Sequence, residues 1–149
     1  MIRVGHKLLD VDERLKKAVV ELAKQVKYDI VIVCGVRGET EQNEAYKNGY
    51  SQVKFPNSKH NTFPSKAVDI APYIDGQIPW SNTHAFIQMQ NDLKLIAKQL
   101  GYKFRWGMDW KTFKDYPHVE VDDDYDRQMK TAQKYMKRYE SSLKELAKT

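Results

Sequence analysis

Apolar side chains recur along this chain in three rhythms. Leu15, Ala18, Val19, Leu22, Ala23 and Val26 step by threes and fours, which predicts a helix with one face turned to a core. Asp10 or Asp12 stands where a helix cap is needed. Phe86, Met89, Leu93, Ile96, Ala97 and Leu100 repeat the pattern, with Ser81 or Asn82 as the cap and Gly101 as a left-handed stop. Between these stretches DIVIVCG is an unbroken β-branched run closed by glycine, the mark of a buried strand. Shorter strands are predicted at 66–70, 102–105 and 118–121, and a short helix at 40–47 capped by Thr40. A last helix, 125–148, is moderately amphipathic and carries Arg127, Lys130, Lys134, Lys137, Arg138, Lys144 and Lys148. The pattern predicts an α+β fold: one small domain whose short, mostly antiparallel sheet is flanked by helices.

Composition narrows the picture. A chain of 149 residues suits a single domain, 1–149, and 41% hydrophobic residues with three Trp, nine Tyr and five Phe can fill its core. The disordered class is excluded. No stretch reaches the roughly 20 apolar residues of a membrane span, so no membrane insertion is expected. The charged start, MIRVGHKLLDVDERLKK, lacks the apolar region of a signal peptide. Cys34, the single cysteine, excludes an internal disulfide and reads as an inert, buried thiol. The net charge of +5 favours an anionic partner: nucleic acid, a cell-wall polymer or a membrane surface. With no obvious apolar patch, a monomer is the default.

The chemistry concentrates in the polar loop 48–64 and its apolar exit. His60 lies in the loop, and Asp69 sits between Val68 and Ile70, where a carboxylate must be paired, hydrogen-bonded or bound to a metal. Further on, His118 opens a strand with Asp115 three residues before it, and Glu120 shares the strand face of His118. Two histidines and a carboxylate from separate segments make a usual ligand set for catalytic zinc, with a fourth position left to water. Arg37, just past the buried strand, is a positive group that can steady an oxyanion. On spacing alone, ordinary hydrogen-bonded histidines fit as well. His6 and His84 read as structural. The run Asp122, Asp123, Asp124 reads as carboxylates at a helix N-terminus, since it lacks the spacing and glycine of a calcium loop.

The segments SKHNTFPSKAVDIAPY and DWKTFKDYPHVEV resemble the zinc peptidases of the D-alanyl-D-alanine carboxypeptidase and dipeptidase group. Within it, the chain is most similar to phage endolysins of the L-alanyl-D-glutamate peptidase branch. The family pattern is Ser-x-His, then Ala-x-Asp, then an acidic residue three positions before a second His. VRGETEQNEAYKNGYS matches a third block, and the resemblance spans about residues 29–120, within an expected catalytic core of about 29–121. It implies His60, Asp69 and His118 as ligands of a zinc ion, Asp115 as general base, and Arg37 at the substrate carbonyl. Ser58 and Gln42 fall in matching blocks and are expected in support or substrate contact; a solvent-facing Gln42 is the competing expectation. Glu120 rivals Asp115 as base or orients a ligand. One departure stands out: nine positions separate His60 from Asp69, where the common form has seven with an intervening glycine.

The resemblance implies a zinc-dependent hydrolase that cuts the L-alanyl-D-glutamate bond of the peptidoglycan stem. Such an enzyme is made in a host's cytoplasm and reaches the cell wall at lysis. Peptidoglycan, not nucleic acid, is then the expected partner. The basic helix, about 125–148, either packs in solvent or draws the protein to anionic envelope polymers. A D,D- or L,D-carboxypeptidase using the same core is the competing enzyme. A non-enzymatic wall- or nucleic-acid-binding module, working through Tyr46, Tyr50, Trp106 and Trp110, is the competing class.

Overall fold

The computed structural model describes residues 1–148. A five-stranded sheet runs in the order β1 (Ile2–Arg3), β2 (Asp29–Cys34), β3 (Ala67–Tyr73), β5 (His118–Val121), β4 (Phe104–Trp106). Only β1 pairs parallel, with β2; the other three pairings are antiparallel, so the sheet is mixed and mostly antiparallel. Four α-helices accompany it: α1 (Glu13–Gln25), α2 (Glu39–Lys47), α3 (Thr83–Leu100) and α4 (Asp123–Ala147).

Strand alternation divides the labour between the two faces of the sheet. Ile30, Ile32, Val68, Ile70, Val119 and Val121 are buried together with the apolar stripes of α1 and α3. Leu15, Leu22 and Leu93 are completely buried there, and shortening one of them to alanine costs about 2–5 kcal/mol. The intervening residues Asp69, His118 and Glu120 are buried too, but on the opposite face, where a site can be built.

Local signals set most helix limits. Asp12 caps α1 by accepting from the Arg14 amide, Asn82 caps α3 through the Ala85 amide, and Gly101 ends α3 with φ 77°. Helix α2 differs from expectation: it begins at Glu39 after Gly38, so Thr40 lies inside its first turn. β3 runs on to Tyr73 because β2 pairs with it through Asp29–Tyr73. β1 and a 3-10 turn at Gly5–Leu8 escape the sequence pattern, since a two-residue strand carries no period of its own.

Asp122 caps α4 through the Tyr125 amide. Asp123 binds Lys59 and Lys66, and Arg14 ties Asp126 to Asp12 with contacts of 2.9–3.1 Å. The acidic run is thus a cap and an anchor. Beyond it, from Arg127 onward, α4 is exposed along its whole length.

Candidate active site

Two adjacent strands supply the centre of the site. Asp69 on β3 stands opposite His118 on β5, and His118 Nδ1 lies 2.9 Å from Asp69 Oδ1. His60 comes from a 3-10 turn, Lys59–Asn61, which Ser58 caps: its hydroxyl accepts from the His60 amide while Asn61 reaches back to the Ser58 amide. His60 Nε2 then lies 3.2 Å from the same Asp69 Oδ1. The long His60–Asp69 segment is closed by its own hydrogen bonds. The Lys66 amide donates to the Lys59 carbonyl and the Thr62 hydroxyl, and Ser65 donates to Ala67 at 2.7 Å. Two extra residues therefore leave the meeting of His60 and Asp69 intact.

The outer nitrogens of both histidines are held. His60 Nδ1 donates to the Gly35 carbonyl at 2.7 Å, and His118 Nε2 donates to Glu120 Oε1 at 2.8 Å. This is the arrangement that metal-ligating histidines use, in which a carbonyl or carboxylate fixes the ring and leaves the other nitrogen for the ion. Burial alone would lower the pKa of His60, but the charge of Asp69 outweighs it and holds the imidazole at about 10. For His118 burial is likewise outweighed, by the hydrogen bonds it donates to Asp69 and Glu120, giving about 9. Burial pushes Asp69 up, yet the two imidazoles together hold it far below the usual carboxylate range. The donor groups that lie within 4.8 Å of one another form two sets sharing Asp69: Cys34–His60–Asp69 and Asp69–Asp115–His118. The two histidines fall in separate sets joined through Asp69, and N, O and S donors of this kind suit zinc.

Asp115 reaches the site from the turn before β5. Its Oδ2 is 4.0 Å from His118 Nδ1, and burial, together with the charge of Asp69, raises its pKa to about 6. Gly107 allows this approach, because a Cβ there would fall 2.1 Å from the Asp115 carbonyl oxygen and 2.9 Å from the His118 Cβ. Arg37 Nη2 lies 3.7 Å from Asp69 Oδ2 while its Nη1 donates to Gln42 Oε1 at 3.0 Å. Gln42 is fully buried and its amide holds Ser51 and the Val53 carbonyl, so the solvent-facing expectation fails. Glu120 grips the far side of His118 from Asp69, the place of an orienting group.

Three expectations change. Cys34 is only half-buried and lines the site beside His60, because a bulge in β2 sets it opposite Asp69. Trp106 and Trp110 are partly covered, Trp106 by the core and Trp110 by the His118 ring at 4.9 Å, so neither belongs to an exposed binding face. Tyr46 and Tyr50 are exposed, as are His6 and His84. Nothing in the hydrophobic pattern announces Cys34 as a neighbour of the site; strand alternation across a bulge is invisible in sequence.

The cluster lies in an open cleft of about 1060 Å³, walled by Arg37, Tyr50, Lys59, Trp80, Trp110 and Phe113. That is at or above the 300–1,000 Å³ typical of small-molecule pockets and leaves room for an extended chain.

The family model for phage L-alanyl-D-glutamate peptidases matches residues 2–133. The chain is 36% identical over 115 residues to the L-alanyl-D-glutamate peptidase of Escherichia phage T5, covering 76% of this chain and 82% of that one. It is 38% identical over 105 residues to the peptidoglycan L-alanyl-D-glutamate endopeptidase CwlK of Bacillus subtilis, covering 62% of this chain and 60% of that one. Among solved structures it is similar to the L-Ala D-Glu endopeptidase ChiX of Serratia marcescens, with a TM-score of 0.72, 25% identity, and coverage of 84% and 93%.

Proposed function

The chain belongs to the phage L-alanyl-D-glutamate peptidase family, and from that premise we propose how its buried cluster cuts the peptidoglycan stem. It is a peptidase for the bond between L-alanine and D-glutamate. The relatives are named for this bond, which favours internal cleavage over the carboxypeptidase alternative.

His60 Nε2, Asp69 and His118 Nδ1 hold one zinc ion in this reading. The observation that carries it is the pair of histidines, each fixed through its outer nitrogen and each turning the inner one to the same Asp69 oxygen. Zinc bound there supplies Lewis acidity, making water acidic enough to lose a proton near neutral pH and polarising a carbonyl. Asp115 accepts a proton from the attacking water as the water oxygen adds to the alanyl carbonyl carbon. Its raised pKa, about 6, suits a base that must also act as an acid. Arg37, steadied by Gln42, faces the developing oxyanion. As the C–N bond breaks, Asp115 passes the proton to the departing D-glutamate nitrogen. Glu120 and Ser58 position His118 and His60 and take no part in proton transfer.

The protein acts on the cell wall; we place its synthesis in a host cytoplasm, with access to the wall at lysis. No helix among the described residues is long and apolar enough to cross a membrane. Peptidoglycan rather than nucleic acid is its polymer partner. The test is the mass of fragments released from purified peptidoglycan by zinc-loaded protein, beside a chelated sample. New stem peptides beginning at D-glutamate, absent after chelation, are expected. Release of a terminal D-alanine alone would put the carboxypeptidase reading in its place.

A further inference from the structure

Helix α4 has no buried residue, and its exposed apolar side chains are not scattered. Met129, Met136, Tyr139 and Leu143 are 40%, 49%, 52% and 48% exposed. With Ala132 and Leu146 they follow one another at alternating steps of three and four residues, a register that Tyr125 already begins. A helix on a globular core shows a wider stripe with a period of 3.6 residues. Strict alternation of three and four gives 3.5, the period of a left-handed coiled-coil seam. Met129, Met136 and Leu143 take the a positions, and Ala132, Tyr139 and Leu146 the d positions.

The charges say which partner fits this seam. Its borders carry Gln133 and Glu140 on one side and Gln128, Tyr135 and Ser142 on the other. The basic residues Lys130, Lys134, Lys137, Arg138 and Lys144 occupy the b, c and f positions, on the face turned away. A helix lying on an anionic membrane needs its cations beside the apolar stripe, within reach of the headgroups. Here they point away, and Asp126 and Glu140 would meet the headgroups instead. A polyanion would engage the basic face and leave the seam uncovered. In a pair of identical helices the borders that meet are largely uncharged, and both basic faces stay in water, so no like charges are forced together.

We propose that α4 pairs with α4 of a second copy of this chain through the Met129–Ala132–Met136–Tyr139–Leu143 seam. The family match ends at residue 133, so most of the seam lies beyond the part shared with the peptidases. The pairing is independent of the catalytic reading. It also removes the ground for expecting a monomer, which was the lack of an apolar patch.

Sedimentation equilibrium of the full chain, from about 1 μM to about 1 mM to span weak and moderate affinities, tests the pairing. The average mass is expected to rise from that of one chain toward twice that value, as much at high salt as at low. The double variant Met136→Asp, Leu143→Asp is expected to stay at the mass of one chain with its near-ultraviolet circular dichroism unchanged. Lys137→Glu, on the outer face, is expected to associate like the parent. Three results would overturn the pairing. The first is one-chain mass throughout for the parent. The second is undiminished association of the double variant. The third is a single-chain parent that instead sediments with phosphatidylglycerol vesicles, which would make the seam a membrane anchor.

Discussion

At the centre of the sheet, β3 and β5 bury Asp69, His118 and Glu120, whereas α4, at the other end of the chain, leaves Met136 and Leu143 in water. Each region departs from the ordinary distribution of side chains, in opposite directions, and such departures carry the information about function. Charge buried within a sheet is costly unless it is paired or ligated. Apolar surface set at regular steps along a helix is costly unless it is covered. The first points to a cation inside the molecule and the second to a partner outside it. The centre of the site, Asp69 and His118, is fixed to adjacent strands, and His60 is brought to it by a capped turn. The helix is tied to the sheet side of the molecule at its first turns, through Asp122, Asp123, Asp124 and Asp126.

The sharpest way to break the contrast is to remove its hub. Asp69→Ala takes away the oxygen that both histidines face, and metal binding and peptidase activity should fall to background, measured by metal analysis and peptidoglycan digestion. Asp115→Ala should leave the metal in place but cost about 10²–10⁴-fold in rate, the usual weight of a general base, read as kcat on a defined stem peptide. Full metal with wild-type rate would assign the base elsewhere, with Glu120 next in line.

Gly107→Ala tests position rather than chemistry. Its Cβ would stand 2.1 Å from the Asp115 carbonyl oxygen, so the turn must move. A displacement of about 1 Å costs on the order of 10²-fold in rate, and because the same Cβ would stand 2.9 Å from the His118 Cβ, metal affinity should weaken with it.

Acidity should act through the histidines. In the metal-free protein His60 holds its proton up to about 10 and His118 up to about 9, and a metal ligand must be neutral. Both protons therefore have to leave when the ion binds. Affinity should fall as pH falls below about 9, by up to about a hundredfold per unit for two protons at 1.36 kcal/mol each per unit. Calorimetry in buffers of different ionisation enthalpy would count the protons released; release of none would show that the rings are neutral beforehand. The smallest effect belongs to α4. Lys137→Glu should change neither stability, within about 0.5 kcal/mol, nor turnover of a soluble stem peptide.

Sequence alone made much of the fold legible where a period is long enough to read. The stripes of α1 and α3, their caps Asp12 and Asn82, and the strand His118–Val121 emerge where the pattern puts them. Ile2–Arg3 does not, because a two-residue strand exists only through its pairing with β2. The site was legible in its parts and not in its assembly. A carboxylate between Val68 and Ile70 announces a cost, but nothing local says that His60 and His118 meet it. That assembly depends on strand register, which is long-range in origin, and on where the locally capped turn at Ser58 docks against Asp69. Gln42 and Cys34 show the limit most clearly. One is buried on a helix with little apolar character, and the other is turned into the cleft by a bulge.

The most direct test of the buried cluster is metal content by native mass spectrometry after zinc loading, for the parent chain and His118→Ala side by side. The expected result is one ion per chain in the parent and none in the variant, whose lost activity would then follow from the lost ion. A full complement of zinc in His118→Ala, or a parent chain that hydrolyses peptidoglycan after complete removal of metal, would contradict it.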